Sequence, residues 1–410
     1  MPFVILNDLE FETFSESVDH CFFEQSLAMR DLLHKRGYQT QLVGFKDQKD
    51  TIQVAAVTFS TAVAGGLHME IHYGPIYHET SYLKEFLVGL TEYAKQNKVI
   101  ELKVKPYFNY QQYDDHGKPI SETHEELIPY FTDANFTYEG LTTGFEEADW
   151  HYIKNLEGLT ESQLLNSFSK KGKPLVKKAK TFGISIRQLK RDELHLFKDI
   201  TSATSDRRDY NDKPLEYYEF LFDSFKDKAE FLVATLNFKD YYANLEKDQA
   251  KIKAKIDKLE KDLQANPNSE KKRNQHKEFS SQYQTFEIRK EEANHFIEKY
   301  NDQDVILAGS VFIFTKQEAV YFFSGSYPEF NKFYAPAVLQ EHVMIKAISQ
   351  GIKRYNLLGI SGVFDGSDGV LGFKQNFNGH VERNLGAFMY YPKPIKHKLL
   401  SSIKKLLNRY

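Results

Sequence analysis

The sequence holds one cysteine, Cys21, among 410 residues. That excludes an internal disulfide and any cysteine-built zinc motif, and it points to a reducing compartment. No apolar run approaches the roughly 18–20 residues needed to span a bilayer, so any membrane contact is expected to be peripheral. The opening stretch, MPFVILNDLEFETFSESVDH, starts apolar but turns acidic within eight residues, without the basic start and small-residue cleavage site of a secretion signal. The expected location is therefore cytoplasmic. An excess of either charge is also missing: 54 Lys and Arg stand against 57 Asp and Glu, a formal net charge of −3. This balance excludes a globally basic nucleic-acid binder and leaves room for a local basic patch. The signatures GxxxxGK(S/T), GxGxxG and GxSxG are absent, which argues against a nucleoside triphosphatase, a dinucleotide enzyme and a serine hydrolase.

What is abundant is apolar and aromatic. Hydrophobic residues make up 41% and aromatic residues 14%, enough for a packed interior and too much for general disorder. Residues 51–77 read as two strands broken at Gly65-Gly66, the pattern of a hairpin. Helical stretches flank them: FEQSLAMRDLLHKRG with Gly37 as C-cap, and SYLKEFLVGLTEYAKQN ahead of the strand VIELKVKPY. This predicts a first α/β unit over residues 1–145. A second α/β pattern runs over 146–239 and 301–395, with the helix LEYYEFLFDSF, the strands AEFLVATLNF, DVILAGSVFIFT and AVYFFSGSY, and the helix APAVLQEHVMIKAISQG. Between its halves, residues 240–300 turn charged and polar, with apolar residues at Leu245, Ile252, Ile256, Leu259 and Leu263. These spacings of 7, 4, 3 and 4 form a heptad seam, and a second seam at Phe279, Tyr283, Phe286, Ala293, Ile297 and Tyr300 follows the break Asn266-Pro267-Asn268-Ser269. The prediction is an antiparallel two-helix arm inserted in the second unit.

Several clusters carry possible chemistry. Lys170, Lys171, Lys173, Lys177, Lys178 and Lys180 fall within eleven residues with no acid among them. They read either as a solvated helical face or as a surface for phosphates of an RNA backbone, since such contacts need no base reading. Pro174 suits a first helical turn, which would set the leading lysines near an anion-favouring helix N-terminus. His68, Glu70 and His72 alternate on a strand and have the residue types of a metal site, but alternation equally suits a solvated strand face, and no metal is expected. Asp114-Asp115 lies in the turn-like YDDHGKP. The segments FSGSYPEFNKFYAPAVLQ and NLLGISGVFDGSDGVLGFKQNFNG join strands to helices through small residues and end on Phe373-Lys374. The tail, residues 396–410, places Leu399, Leu400, Ile403, Leu406, Leu407 and Tyr410 on one helical face and Lys396, Lys398, Lys404, Lys405 and Arg409 around the other. It suits either a packed cap or an interfacial helix on anionic lipid.

Taken together, YGPIY, KPYFNYQQY, SFSKKGKPLVKKAKTFGI, DRRDYNDKPLEYY, the inserted arm, SGSY with FYAPAVLQ, and GVLGFKQNFNG resemble the Fem family of non-ribosomal peptidyltransferases. The resemblance spans nearly the whole chain and is strongest to the streptococcal MurN-type alanyltransferases. It implies two acetyltransferase-like (GNAT-like) α/β subdomains carrying a coiled-coil arm. It also implies a cofactor-free enzyme, here expected to be a monomer, at the inner face of the plasma membrane, which moves an amino acid, alanine above all, from aminoacyl-tRNA to the stem-peptide lysine of lipid II. By the same resemblance, Lys374 and the Phe373–Lys374 peptide stabilise the oxyanion, and Arg207, Lys35 and Arg36 hold precursor phosphates. Tyr107, Tyr110 and Tyr334 shape the substrate pocket, and the lysine cluster meets tRNA.

An aminoacyl ester is already activated, so such an enzyme needs to orient an amine and stabilise an oxyanion rather than supply a nucleophile. One departure stands out. Several relatives carry Asp where this chain has Lys105, and a protonated lysine cannot accept the amine's proton. Either Lys105 is deprotonated or the base lies elsewhere. Two other classes remain open on sequence alone, a non-catalytic RNA-binding module and an acetyl-CoA-dependent N-acyltransferase; for the latter no convincing pyrophosphate-binding turn is present.

Overall fold

A computed structural model describes residues 3–208 and 211–406. The chain folds into two mixed sheets of eight strands each. In spatial order the first holds Phe3–Ile5, Gln39–Lys46, Ile52–Val63, Gly66–His72, Val99–Lys105, Phe388–Tyr390 and Thr137–Tyr138, with Ile76–Tyr77 pairing onto Ile52–Val63. The second holds Ser185–Gln188, Ala229–Asn237, Asp304–Phe314, Glu318–Ser326, Arg354–Gly359, Trp150–Asn155, His380–Asn384 and Asn109–Tyr113.

Both sheets use the same connection. A long antiparallel hairpin is followed by a helix and then by a strand parallel to the hairpin's second member: Leu83–Gln96 leads to Val99–Lys105, and Ala335–Ser349 leads to Arg354–Gly359. A parallel neighbour requires such a crossover because the chain must return to the same end of the sheet. The first crossover helix buries Leu83, Phe86, Leu87, Leu90 and Ala94, residues three and four apart on one face.

The sheets do not divide the chain at residue 145. Asn109–Tyr113 pairs with His380–Asn384 in the second sheet, and Phe388–Tyr390 pairs with Val99–Lys105 in the first. Each sheet thus receives a strand from the other's stretch of sequence, a partnership that strand periodicity does not encode. A shared core lies between them: Phe22, Phe23, Met29, Leu32, Phe59 and Tyr73 pack with Phe197, Tyr218, Phe231 and Val311.

The inserted arm consists of helices Phe238–Ala265 and Glu270–Tyr300. Lys272 with Asp262, His276 with Glu260 and Gln249 with Glu287 set an antiparallel register. Leu245, Ile256 and Ala293 of the predicted seams are buried, but so is Phe296, next to the Ile297 that the spacing selects. Phe296 stacks on Phe238 at 4.5 Å and roots the arm in the second core. The end of the chain forms the helix Pro394–Leu406; Leu407 and Tyr410 of the predicted apolar face lie outside the described residues. Among the described residues, no helix is long and apolar enough to cross a membrane.

Candidate active site

The Gly-rich segment folds around two side chains. Asn356 Oδ1 accepts from the Leu358 N–H at 2.8 Å, and Leu358 takes a left-handed φ of 60°, which breaks the ladder with Trp150–Asn155. The carbonyls of Leu358 and Gly359 leave the sheet pattern, and the Lys374 ammonium donates to both. Asp368 then organises the loop before Lys374. One carboxylate oxygen caps the helix Gly369–Lys374 through the N–H groups of Val370 and Leu371, and the other accepts from Ser361 N–H and Oγ–H at 2.9 and 2.8 Å. Gly362 is required here, since its φ is +74° and an added Cβ would lie 2.5 Å from the Trp150 indole.

Lys374 is only 3% exposed. Burial pushes its ammonium down to about 7, with Asp368 pulling the other way. Its own backbone N–H falls in the last turn of a short helix, at the end opposite the N–H groups that Asp368 caps. The charge-bearing group is therefore the side chain. Phe373 is half-buried, with its ring 5.4 Å from that of Phe377.

A second polar group sits where the sheets meet. Tyr107 O–H donates to Glu318 at 3.0 Å and accepts from Arg354 at 3.1 Å and Asn356 at 3.2 Å. Arg354 forks between Glu318 at 3.0 Å and Glu382 at 2.7 Å. Burial opposes ionisation of Glu382, but Arg354 and His380 hold it well below the usual carboxylate range, whereas burial raises Glu318. His151 donates from Nε2 to the Ala148 carbonyl at 3.1 Å, so its Nδ1 accepts from Asn356 at 3.2 Å. Burial drives its pKa down to about 3, helped by Arg354, Lys105 and Lys374, all close enough to act on it. Lys374, Lys105 and Tyr107 are thus gathered around one neutral imidazole. Tyr107, Arg354 and Glu382 of this group, with Tyr73, Tyr77 and His78, line a cleft of about 760 Å³.

Lys105 is 4% exposed and lies 2.8 Å from Asp149, over the Tyr73 ring.

The sequence model of the FemAB family matches residues 6–405. The chain belongs to the FemAB family. With that membership it is an aminoacyltransferase. Aminoacyltransferase FemA of Staphylococcus aureus (strain bovine RF122 / ET3-1) is 26% identical over 424 residues, covering 100% of both chains, and the protein of that name from strain N315 matches to the same extent. In fold, the chain is similar to the crystal structure of FemX, with a TM-score of 0.78 at 18% identity, covering 97% of this chain and 99% of that one.

The remaining residues expected of a FemAB site are distributed over the same molecule. Arg36 ends the helix Leu27–Lys35 and lies over the rings of Tyr38 and Tyr217, at 5.3 Å from each. It therefore bridges the two halves of the chain. Lys35 is exposed beside it, and Arg207 is exposed in the last turn of Leu194–Arg208. Tyr110 is half-buried, its hydroxyl 3.3 Å from Glu125. Tyr334 stands apart from this group: it precedes the helix Ala335–Ser349 and lies beneath the Lys178 ammonium at 5.6 Å.

The lysine cluster forms the helix Gly172–Lys180, in which Lys177, Lys178 and Lys180 occupy the last turn and favour its negative end. Lys170, Lys171 and Lys177 are exposed, whereas Lys180 pairs with Glu341 at 3.0 Å. This FemAB helix is locked to the segment after Lys374, because a Cβ on Gly172 would come within 1.9 Å of the Asn376 carbonyl oxygen. Beneath the junction, the buried Lys154 donates to Ser167 and Asn378 carbonyls at 3.1 Å each. His68 and His72 both bind Glu70, with Glu101 and Glu24 as their outer partners. Sequence reasoning missed Arg354, Glu318, Glu382 and His151. For Arg354, Glu318 and His151 the only trace is an ionisable residue at or near the end of a largely apolar strand, and Glu382, in the polar strand HVERN, has none.

Proposed function

We propose that this FemAB protein transfers an amino acid, alanine, from aminoacyl-tRNA to the branched stem-peptide lysine of lipid II in peptidoglycan cross-bridge synthesis. The observation that carries this reading is the end-to-end likeness to FemA, which aligns over 100% of both chains. In the reaction the acceptor amine attacks the ester carbonyl, a C–N bond forms, the C–O bond to the ribose breaks, and the amine's proton passes to the released ribose oxygen. The buried Lys374 supports the charge-stabilising role: its side-chain nitrogen is held in place by donating to the carbonyls of Leu358 and Gly359. In a dry site such a donor contributes roughly 3–4 kcal/mol to the barrier.

The lysine helix, exposed and free of acids, suits the tRNA backbone; Lys35, Arg36 and Arg207 suit the precursor's phosphates. Alanine is assigned over serine and glycine by the resemblance of the sequence, and a pocket separates such small side chains by only about 1–3 kcal/mol. The test is transfer of label from alanyl-, seryl- and glycyl-tRNA to bare and branched lipid II. We expect RNase-sensitive label in the lipid fraction, highest with alanyl-tRNA on the branched acceptor. Label that arrives only from acetyl-CoA, or tRNA binding without transfer, would overturn the reading.

A further inference from the structure

The helix Pro394–Leu406 is docked on one face and bare on the next. Leu400 packs at Gly65 against Ile100, Lys396 donates to the Gly65 carbonyl at 2.8 Å, and His397 meets Glu101 at 3.0 Å. These contacts fix the helix on the hairpin turn of the first sheet. Among the described residues the neighbouring face is unpartnered: Ile395, Leu399 and Ile403, four residues apart, are 85%, 61% and 43% exposed. Ile395 and Leu399 line a shallow dent of about 480 Å³ with Lys393, Pro394 and Lys396. Between Tyr391 and the end of the sequence there is no Asp or Glu, while Lys393, Lys396 and Lys398 flank the stripe. Large apolar side chains held in water beside cations, on a segment that carries no acid of its own, match an anionic bilayer surface, into which the aliphatic groups insert while the ammoniums meet lipid phosphates.

The helix's place in the fold gives this face a direction. The registers Gln39 with Ser60, Val63 with Gly66 and Leu67 with Val99 put the start of Gln39–Lys46, the Gly65 turn and the start of Val99–Lys105 at one end of the sheet. Lys35 and Arg36 immediately precede that end, about 15 Å away across three strand spacings. We propose that the Ile395–Leu399–Ile403 face is a membrane-contact surface for anionic lipid, which presents the Lys35–Arg36 end of the first sheet to the headgroups. The contact itself does not depend on the transfer reaction, so its failure and that of the proposed function are read separately.

The test is co-sedimentation of the full chain with phosphatidylcholine vesicles, with and without one-third phosphatidylglycerol and without any peptidoglycan precursor. Wild type should bind the anionic vesicles, lose at least tenfold in affinity in high salt, and ignore the neutral ones. Leu399→Glu with Ile403→Glu should weaken binding at least tenfold, with an unchanged thermal midpoint because both side chains are exposed. Lys393→Gln with Lys398→Gln, which keeps the apolar stripe, should weaken it less and remove most of the salt dependence. Equal binding of wild type and the double Glu variant, or no binding of wild type, would overturn the proposal. So would self-association lost in the Glu variant without vesicle binding, which would assign the face to a second copy of the chain.

Discussion

The Lys374 side chain is enclosed by backbone, and its environment makes two properties separable. Replacing it with Met deletes the charge at near-constant volume, so transfer should fall below a tenth of wild type. It also strands the Leu358 and Gly359 carbonyls, and each buried acceptor left without a donor costs about 1–3 kcal/mol, so the variant should also be less stable. The two losses are distinguished by pH. The native pKa of about 7 lies below the free-lysine value of 10.5, so between those values the unfolded chain binds a proton that the native state has released. Stability therefore rises with pH across that window, and the wild type should gain on Lys374→Met between pH 7 and pH 9.5 in urea midpoints. A gap that stays constant would show that the ammonium persists in the fold. The motif around Phe373-Lys374 is legible in the sequence, but its cage is not. The acceptors are backbone carbonyls freed by the left-handed Leu358, and no side-chain pattern marks such a residue.

Helices were easier to read than strand partners. The two arm helices show in the sequence because an apolar repeat of three and four residues marks one face of each helix, whatever that face packs on. What spacing cannot show is that Tyr241 and Arg289 of the arm pack on Phe182, two residues beyond the lysine helix, so that helix and arm share one base. Nor can it show that the six lysines differ. Lys180 faces the buried Glu341, and a Glu there would set two carboxylates together at a cost in stability unrelated to tRNA. The clean variant reverses Lys170, Lys171 and Lys177, which are exposed. If each meets a phosphate, the slope of log affinity for tRNA against log salt should fall by about 2–3 in total, with the thermal midpoint unmoved. An unchanged slope would return the helix to a solvated face. The strand Asn109–Tyr113 illustrates the other limit: its sequence, NYQQY, has no apolar alternation, and its place in the second sheet comes from pairing with His380–Asn384.

At the scale of the whole molecule, the exchanged strands determine how the protein unfolds. Phe388–Tyr390 cannot leave the first sheet without pulling on His380–Asn384, and Asn109–Tyr113 cannot leave the second without pulling on Val99–Lys105. Between them, Arg354 joins Glu318, Glu382 and Tyr107 in a junction contributed by both stretches of chain. Two independent sheets would melt as two units, whereas this arrangement predicts a single one. Trp150, the one tryptophan, is buried in the second sheet and reports it by fluorescence, while far-UV circular dichroism is weighted toward the long arm helices and the rest of the chain. The two urea curves should coincide. Arg354→Met should shift both together by about 3–5 kcal/mol, because it leaves two buried carboxylates without their cation. Fluorescence and dichroism curves that separate in wild type would show that the exchanged strands do not couple the sheets. A shift confined to fluorescence in Arg354→Met would place the junction within the second sheet alone. Coincidence in both proteins would mean that the cleft is built on a junction neither half can form by itself, so that loss of either sheet abolishes the site.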